Sequence, residues 1–130
     1  MIKSYVVPEQ GNIEITKHFK VKEFACKDGS PIVFVDNYLV GLLEILRKTI
    51  DKPIIITSGY RTPEHNKKVN GAKYSYHMRG CAVDIIVKDM TPKEIAKTLN
   101  KIVPSDSCGI IVESSWVHFD TRINKYRKGV

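Results

Sequence analysis

Only three cysteines occur in the 130 residues, and no two form a CxxC pair, which excludes a disulfide framework or a structural zinc knuckle. Cys26, Cys81 and Cys108 therefore read as reduced core thiols. No apolar run approaches the ~20 residues needed to cross a bilayer. The opening MIKSYVVPEQGNIEI contains neither a long apolar stretch nor a small-residue cleavage site. A membrane span is thereby excluded, and synthesis in the cytoplasm without a signal peptide is expected; if a substrate lies outside the membrane, another agent would have to carry or release the protein there. Acid is scarce relative to base: 14 Asp and Glu face 21 Lys and Arg, for a net charge of +7. The lysines are interleaved with acids and form no block, so a dedicated nucleic-acid site is not indicated. Two readings of that charge stay open, a plain solvated basic face and an affinity for anionic wall polymers. Repeats, low-complexity tracts and linkers are also missing.

What remains is enough for one core. Hydrophobic residues make up 42% of a chain of ordinary domain length, so a single domain over 1–130 is expected, with 1–18 and 123–130 peripheral, and with a monomer as the expected state. The first thirty-five residues predict irregular structure with one short helix. Asp36 is a helix cap, and Leu39, Leu42, Leu43, Leu46 and Ile50 follow at helical spacing to an end near Asp51. Ile54, Ile55 and Ile56 predict a buried strand ending at Thr57 and Ser58. Thr62-Pro63 opens a short helix over Glu64 to Val69. Cys81 to Val87 reads as a second buried strand, and Thr91-Pro92-Lys93-Glu94 is a capping box for a helix through about Ile102. Gly109 to Val112 and Trp116 to Thr121 form a hairpin, followed by a frayed basic tail from Lys125 to Lys128. The fold class is α+β.

Asp84 interrupts an apolar strand, and a buried carboxylate without a partner costs several kcal/mol, so it must meet a cation, several donors or a metal. His77 lies seven residues before it, and His118 is in the last strand, where alternation puts Trp116, His118 and Asp120 on one face and Val117 and Phe119 on the other. Two imidazoles and one carboxylate match a catalytic zinc site with one position left for water, whereas a structural site fills all four. A structural ion pair for Asp84 is the competing reading. His18 and His65 stand in polar contexts and read as surface residues.

Ser75 to Asp84, reading SYHMRGCAVD, resembles the SxHxxGxAxD signature of the zinc D-alanyl-D-alanine carboxypeptidase and peptidoglycan endopeptidase family. Ser58-Gly59-Tyr60-Arg61-Thr62 resembles its SGYRT segment, and Trp116-Val117-His118-Phe119-Asp120 its closing strand, so the resemblance runs from about Phe19 to Arg122. It implies the small single-domain branch of that family and the fold shared with the hedgehog signalling domain, a mixed or antiparallel sheet packed against helices. It implies Zn2+ held by His77, Asp84 and His118, and Arg61 as the anchor of a substrate carboxylate. Ser75 would offer a hydroxyl to the substrate or shape the loop before His77. The substrate class it implies is the peptidoglycan stem peptide, cut at D-Ala-D-Ala or at L-Ala-D-Glu. Many relatives carry an acid three positions before the last histidine, where this chain has Ser115. Glu113, brought over by a bulge in the hairpin, is then the leading general base, with Asp120 second and no dedicated side chain as the remaining option. Asp120 is better suited to orienting a metal-bound imidazole. The missing acid also keeps open a non-catalytic zinc-containing binding module of the same fold. A wall-cleaving protein of this kind fits a phage-type lytic enzyme. Gly59, Gly71 and Gly80 are expected at positive φ near the site, and Tyr60, Tyr74 and Tyr76 line a groove or cover the core edge.

Overall fold

The computed structural model describes residues 1–130. Its elements run β1 (Ile2–Val6), α1 (Val7–Gln10), β2 (Glu14–Thr16), β3 (Phe19–Lys20), β4 (Ile32–Asp36), α2 (Asn37–Ile50), β5 (Ile55–Ser58), α3 (Pro63–Lys68), β6 (Ala82–Ile86), α4 (Pro92–Ile102), β7 (Gly109–Val112), β8 (Val117–Asp120) and β9 (Tyr126–Lys128). Single 3-10 turns lie at Val21–Phe24 and Tyr76–Arg79. The main sheet has the order β5-β6-β8-β7-β9, antiparallel except for the parallel pair β7 and β9. This is an α+β fold with a mixed sheet.

The helices start where the chain supplies oxygen for their open N–H groups. Asp36 accepts from Tyr38 N at 3.1 Å, and Thr91 and Glu94 close a reciprocal capping box on α4. Asp51 ends α2 with a left-handed φ of 53°. The apolar stripe of α2, from Leu39 through Leu46, is buried together with Ile95 and Leu99 of α4 against Val83, Ile85, Ile110, Val117 and Phe119 of the sheet. Each such side chain contributes about 1.5–3 kcal/mol. Covering one sheet face in this way leaves the opposite face of β6 and β8 free for polar residues.

The fold departs from the sequence reading at several places. The first thirty-five residues are not irregular: β1 pairs antiparallel with β4, from Ile2 opposite Asp36 to Val6 opposite Ile32, and β2 pairs with β3. The Ile54–Ile56 run is buried only in part: Ile54 and Ile56 lie in the core, while alternation along β5 turns Ile55, 53% exposed, to the uncovered sheet face beside Ile86. The basic tail is ordered as β9 alongside β7, with Arg127 donating to Ser107 O and Cys108 O. His18 is not a free surface residue, since its ring Nδ1 and backbone N–H meet the buried carboxylate of Glu44 at 2.5 and 2.8 Å.

Candidate metal centre

Strand register places the first two groups. Asp84 in β6 is directly opposite His118 in β8, and alternation turns both away from the neighbouring core residues Val83 and Phe119. His77 reaches them from the 3-10 turn before β6. Ser75 caps that turn by accepting His77 N–H at 3.2 Å, and Gly80 ends it at φ 74°. Gly80 has a second reason to be glycine, because a Cβ there would lie 2.4 Å from Phe34 O. Gly59 and Gly71 do not adopt positive φ as expected. They are crowded instead: a Cβ would meet the Phe24 backbone at 2.7 Å and the Asn66 side chain at 1.9 Å, respectively. The left-handed residue of that loop is Asn70, φ 57°.

Each imidazole has one nitrogen committed to the protein and one to the centre. His77 Nδ1 is 2.8 Å from Gly59 O, and a carbonyl only accepts, so Nδ1 donates to it and Nε2 is the nitrogen that faces the centre. His118 Nε2 is 2.7 Å from Asp120 Oδ2, which turns Nδ1 inward. His77 Nε2 and His118 Nδ1 each lie 3.3 Å from Asp84 Oδ1. Tetrahedral ligands about 2.0–2.1 Å from one zinc ion are about 3.3 Å apart, so the donor set and its spacing fit that ion. All three donors fall within 4.8 Å of one another.

The electrostatics match a cation site. Burial pushes the Asp84 carboxyl up, but its bonds to His118 and His77 and their charge outweigh this and hold it well below the usual carboxylate range. Burial pushes His118 down, while its bonds to Asp120 and Asp84 prevail and raise it to about 9. A metal ligand must present a bare lone pair, so a cation would have to displace the proton that His118 Nδ1 shares with Asp84. Asp120 is fully buried and accepts from Arg122 Nε at 2.7 Å and Nη2 at 2.6 Å.

A cavity of about 520 Å³ opens onto the three donors. Arg61 stands in its wall, with Nη2 3.4 Å from Asp84 Oδ2, Nη1 3.3 Å from Asn66 Oδ1 and Nε 3.1 Å from Ser58 Oγ. Glu113 also lines it, without the bulge expected of the hairpin. The β7–β8 register is regular, Ile111 faces His118, and two residues further along the same face comes Glu113, whose backbone N–H closes the turn on Trp116 O. Ser75, Tyr74 and Tyr76 line the cavity as well, whereas Tyr60 packs edge-on against Phe34 at 5.3 Å. His65 and His18 are not part of the donor group.

Arg122, Asn66 and Ile111 are among the lining or supporting residues that escaped the sequence reading. Arg122 carried a signal, an arginine two residues after a buried acid. Asn66 and Ile111 carried none, because a polar helix and an apolar strand absorb such residues without comment. The Peptidase M15 family model matches residues 17–120 of the chain. None of the curated proteins matches it.

Proposed function

The chain belongs to the Peptidase M15 family, and from that premise we propose that it is a zinc-dependent peptidase that hydrolyses peptidoglycan stem peptides. The observation that carries the reading is the convergence of His77 Nε2, His118 Nδ1 and Asp84 Oδ1 at zinc-ligand spacing on the floor of an open cavity. Zinc held by these three would polarise a scissile carbonyl as a Lewis acid and lower the pKa of a coordinated water toward ~7.

The remaining work falls to the chain's own side chains. Arg61 presents a planar fork to the cavity, and its contacts to Asn66 and Asp84, at 3.3 and 3.4 Å, are long enough to yield to a substrate carboxylate. Binding there fixes the register of the peptide relative to the bond being cut. Glu113, on the face of His118 and engaged in no ion pair, takes the proton of the attacking water and returns it to the leaving amine. Ser75 holds the His77 turn through its cap and borders the substrate path. Asp120 fixes the tautomer of His118. The net charge of +7 favours approach to an anionic wall, consistent with release to the wall by a phage-type lytic programme.

Ser115, at the place where many relatives carry an acid, favours a second reading, a zinc-containing module that binds wall peptide without turnover. One experiment decides between them: mass spectrometry of muropeptides incubated with zinc-loaded protein. Loss of a terminal D-Ala, or scission between L-Ala and D-Glu, supports the peptidase and names the bond. Intact muropeptides in the presence of bound zinc support the binding module.

A further inference from the structure

Asp120 is fully buried, and the hydrogen bonds of its carboxylate go to two residues. Oδ2 accepts from His118 Nε2 at 2.7 Å and from Arg122 Nη2 at 2.6 Å, while Oδ1 accepts from Arg122 Nε at 2.7 Å and from Arg122 N at 3.1 Å. A carboxylate held on one side only can rotate about its last bond, and the ring hydrogen-bonded to it then rotates as well. The two parallel bonds of a guanidinium fork remove that freedom. Arg122 is itself clamped, with its guanidinium carbon 4.5 Å from the ring centre of Tyr76 and 4.9 Å from that of Tyr126. Tyr76 is the neighbour of His77. Tyr126 belongs to β9, which is tied to the sheet by Tyr126 N donating to Cys108 O at 3.0 Å. Gly109 leaves the space: a Cβ there would lie 2.6 Å from both Arg122 Nε and Asp120 Oδ2.

We infer that Arg122 is a positioning residue of the metal centre, acting through Asp120 to hold His118 Nδ1 toward Asp84, and that β9 is a working part of the site because Tyr126 secures Arg122. This rests on the reading that His77, Asp84 and His118 hold zinc. An isolated ion pair between Asp120 and Arg122 would stabilise the fold alone. The shared carboxylate couples the pair to the ligand geometry, so its loss reaches the metal.

The test compares wild type, Arg122→Gln, Arg122→Lys and Tyr126→Ala, each stripped of metal and then titrated with zinc against a chromophoric chelator. Cobalt(II) absorption spectra and melting of the metal-free proteins accompany the titration. Arg122→Gln should lose 10- to 100-fold in zinc affinity, the usual range for removing an outer-shell partner, and its cobalt spectrum should change. Arg122→Lys, which keeps charge but loses the fork, should fall between it and wild type, and Tyr126→Ala should show a smaller loss. Should Arg122→Gln fail to fold, Arg122→Lys decides: weakened zinc binding by a folded protein supports the inference. Wild-type affinity and cobalt spectrum in Arg122→Lys, whatever the change in melting, overturn it and leave a stabilising ion pair. A wild type that takes up no zinc overturns the metal reading and this inference together, which separates the two failures.

Discussion

Gly80→Ala tests how the turn between two of the metal-site residues is held. Its φ of 74° costs an alanine about 1–2 kcal/mol. The new methyl would also stand 2.4 Å from Phe34 O, about 1 Å closer than ordinary contact. Relief requires β4 and the turn to separate, which strains the 2.8 Å bond from Asp36 N to Gly80 O, a contribution of about 1 kcal/mol. The total is about 3 kcal/mol, which for a chain of this size lowers the melting temperature by about 10 °C. Two other glycines separate the terms. Gly29 has φ 82° and open space, with nothing within 4 Å of an added methyl, so Gly29→Ala should show the dihedral cost alone, about 1–2 kcal/mol. Gly41 is inside α2 with open space around it, so Gly41→Ala should stabilise by about 0.5–1 kcal/mol. Melting of the three variants in chelator, followed by circular dichroism, measures all of this without metal. If Gly80→Ala melts within about 2 °C of Gly29→Ala, the close approach to Phe34 O carries no energy and the reasoning fails.

Glu113→Gln should keep fold and zinc but lose ~10² to 10⁴ in kcat, because an amide cannot accept the proton at neutral pH; wild-type turnover would make Glu113 an ordinary hairpin carboxylate. Arg61→Lys should raise the KM for a carboxylate-bearing peptide about tenfold or more at unchanged zinc content, and loss of zinc would instead place Arg61 among the groups that hold Asp84. Burial raises Glu44, but its bonds to His18 outweigh this and hold its carboxyl at about 2, below the ordinary 4.5. Its contribution is therefore fully present above pH 4.5 and is lost as pH falls through about 2. Glu44→Gln should cost about 1–3 kcal/mol at neutral pH and flatten that part of the acid transition, and unchanged stability at pH 7 would count against the pair.

The parts of the fold that were legible in advance are those set by neighbours in sequence. The caps at Asp36 and Thr91 and the stripe from Leu39 to Leu46 are local signals, and α2 and α4 followed them. Asp84 stood out because a charge in an apolar strand demands partners, and strand alternation alone put His118 and Asp120 on one face. The rest depended on pairings between distant residues. Nothing near Ile2 announces that it will lie opposite Asp36, and nothing near Tyr126 announces a parallel partner at Gly109. Ile55 looked buried because β-branched runs usually are, yet alternation turns it to the sheet face that no helix covers, and which face is covered is not written in any local pattern. The support around His118 was hidden for the same reason, since Arg122, Tyr76 and Gly109 meet only in the folded chain.

The central claim is that His77, Asp84 and His118 together hold one zinc ion per chain, and the most direct measurement is elemental analysis of metal-loaded, dialysed protein for wild type and for His77→Ala, Asp84→Ala and His118→Ala. Wild type should retain one zinc per chain, and each folded variant should retain far less, because removing one of three protein ligands leaves too few donors to keep the ion through dialysis. Equal zinc in wild type and all three variants, or none in wild type, would contradict the account.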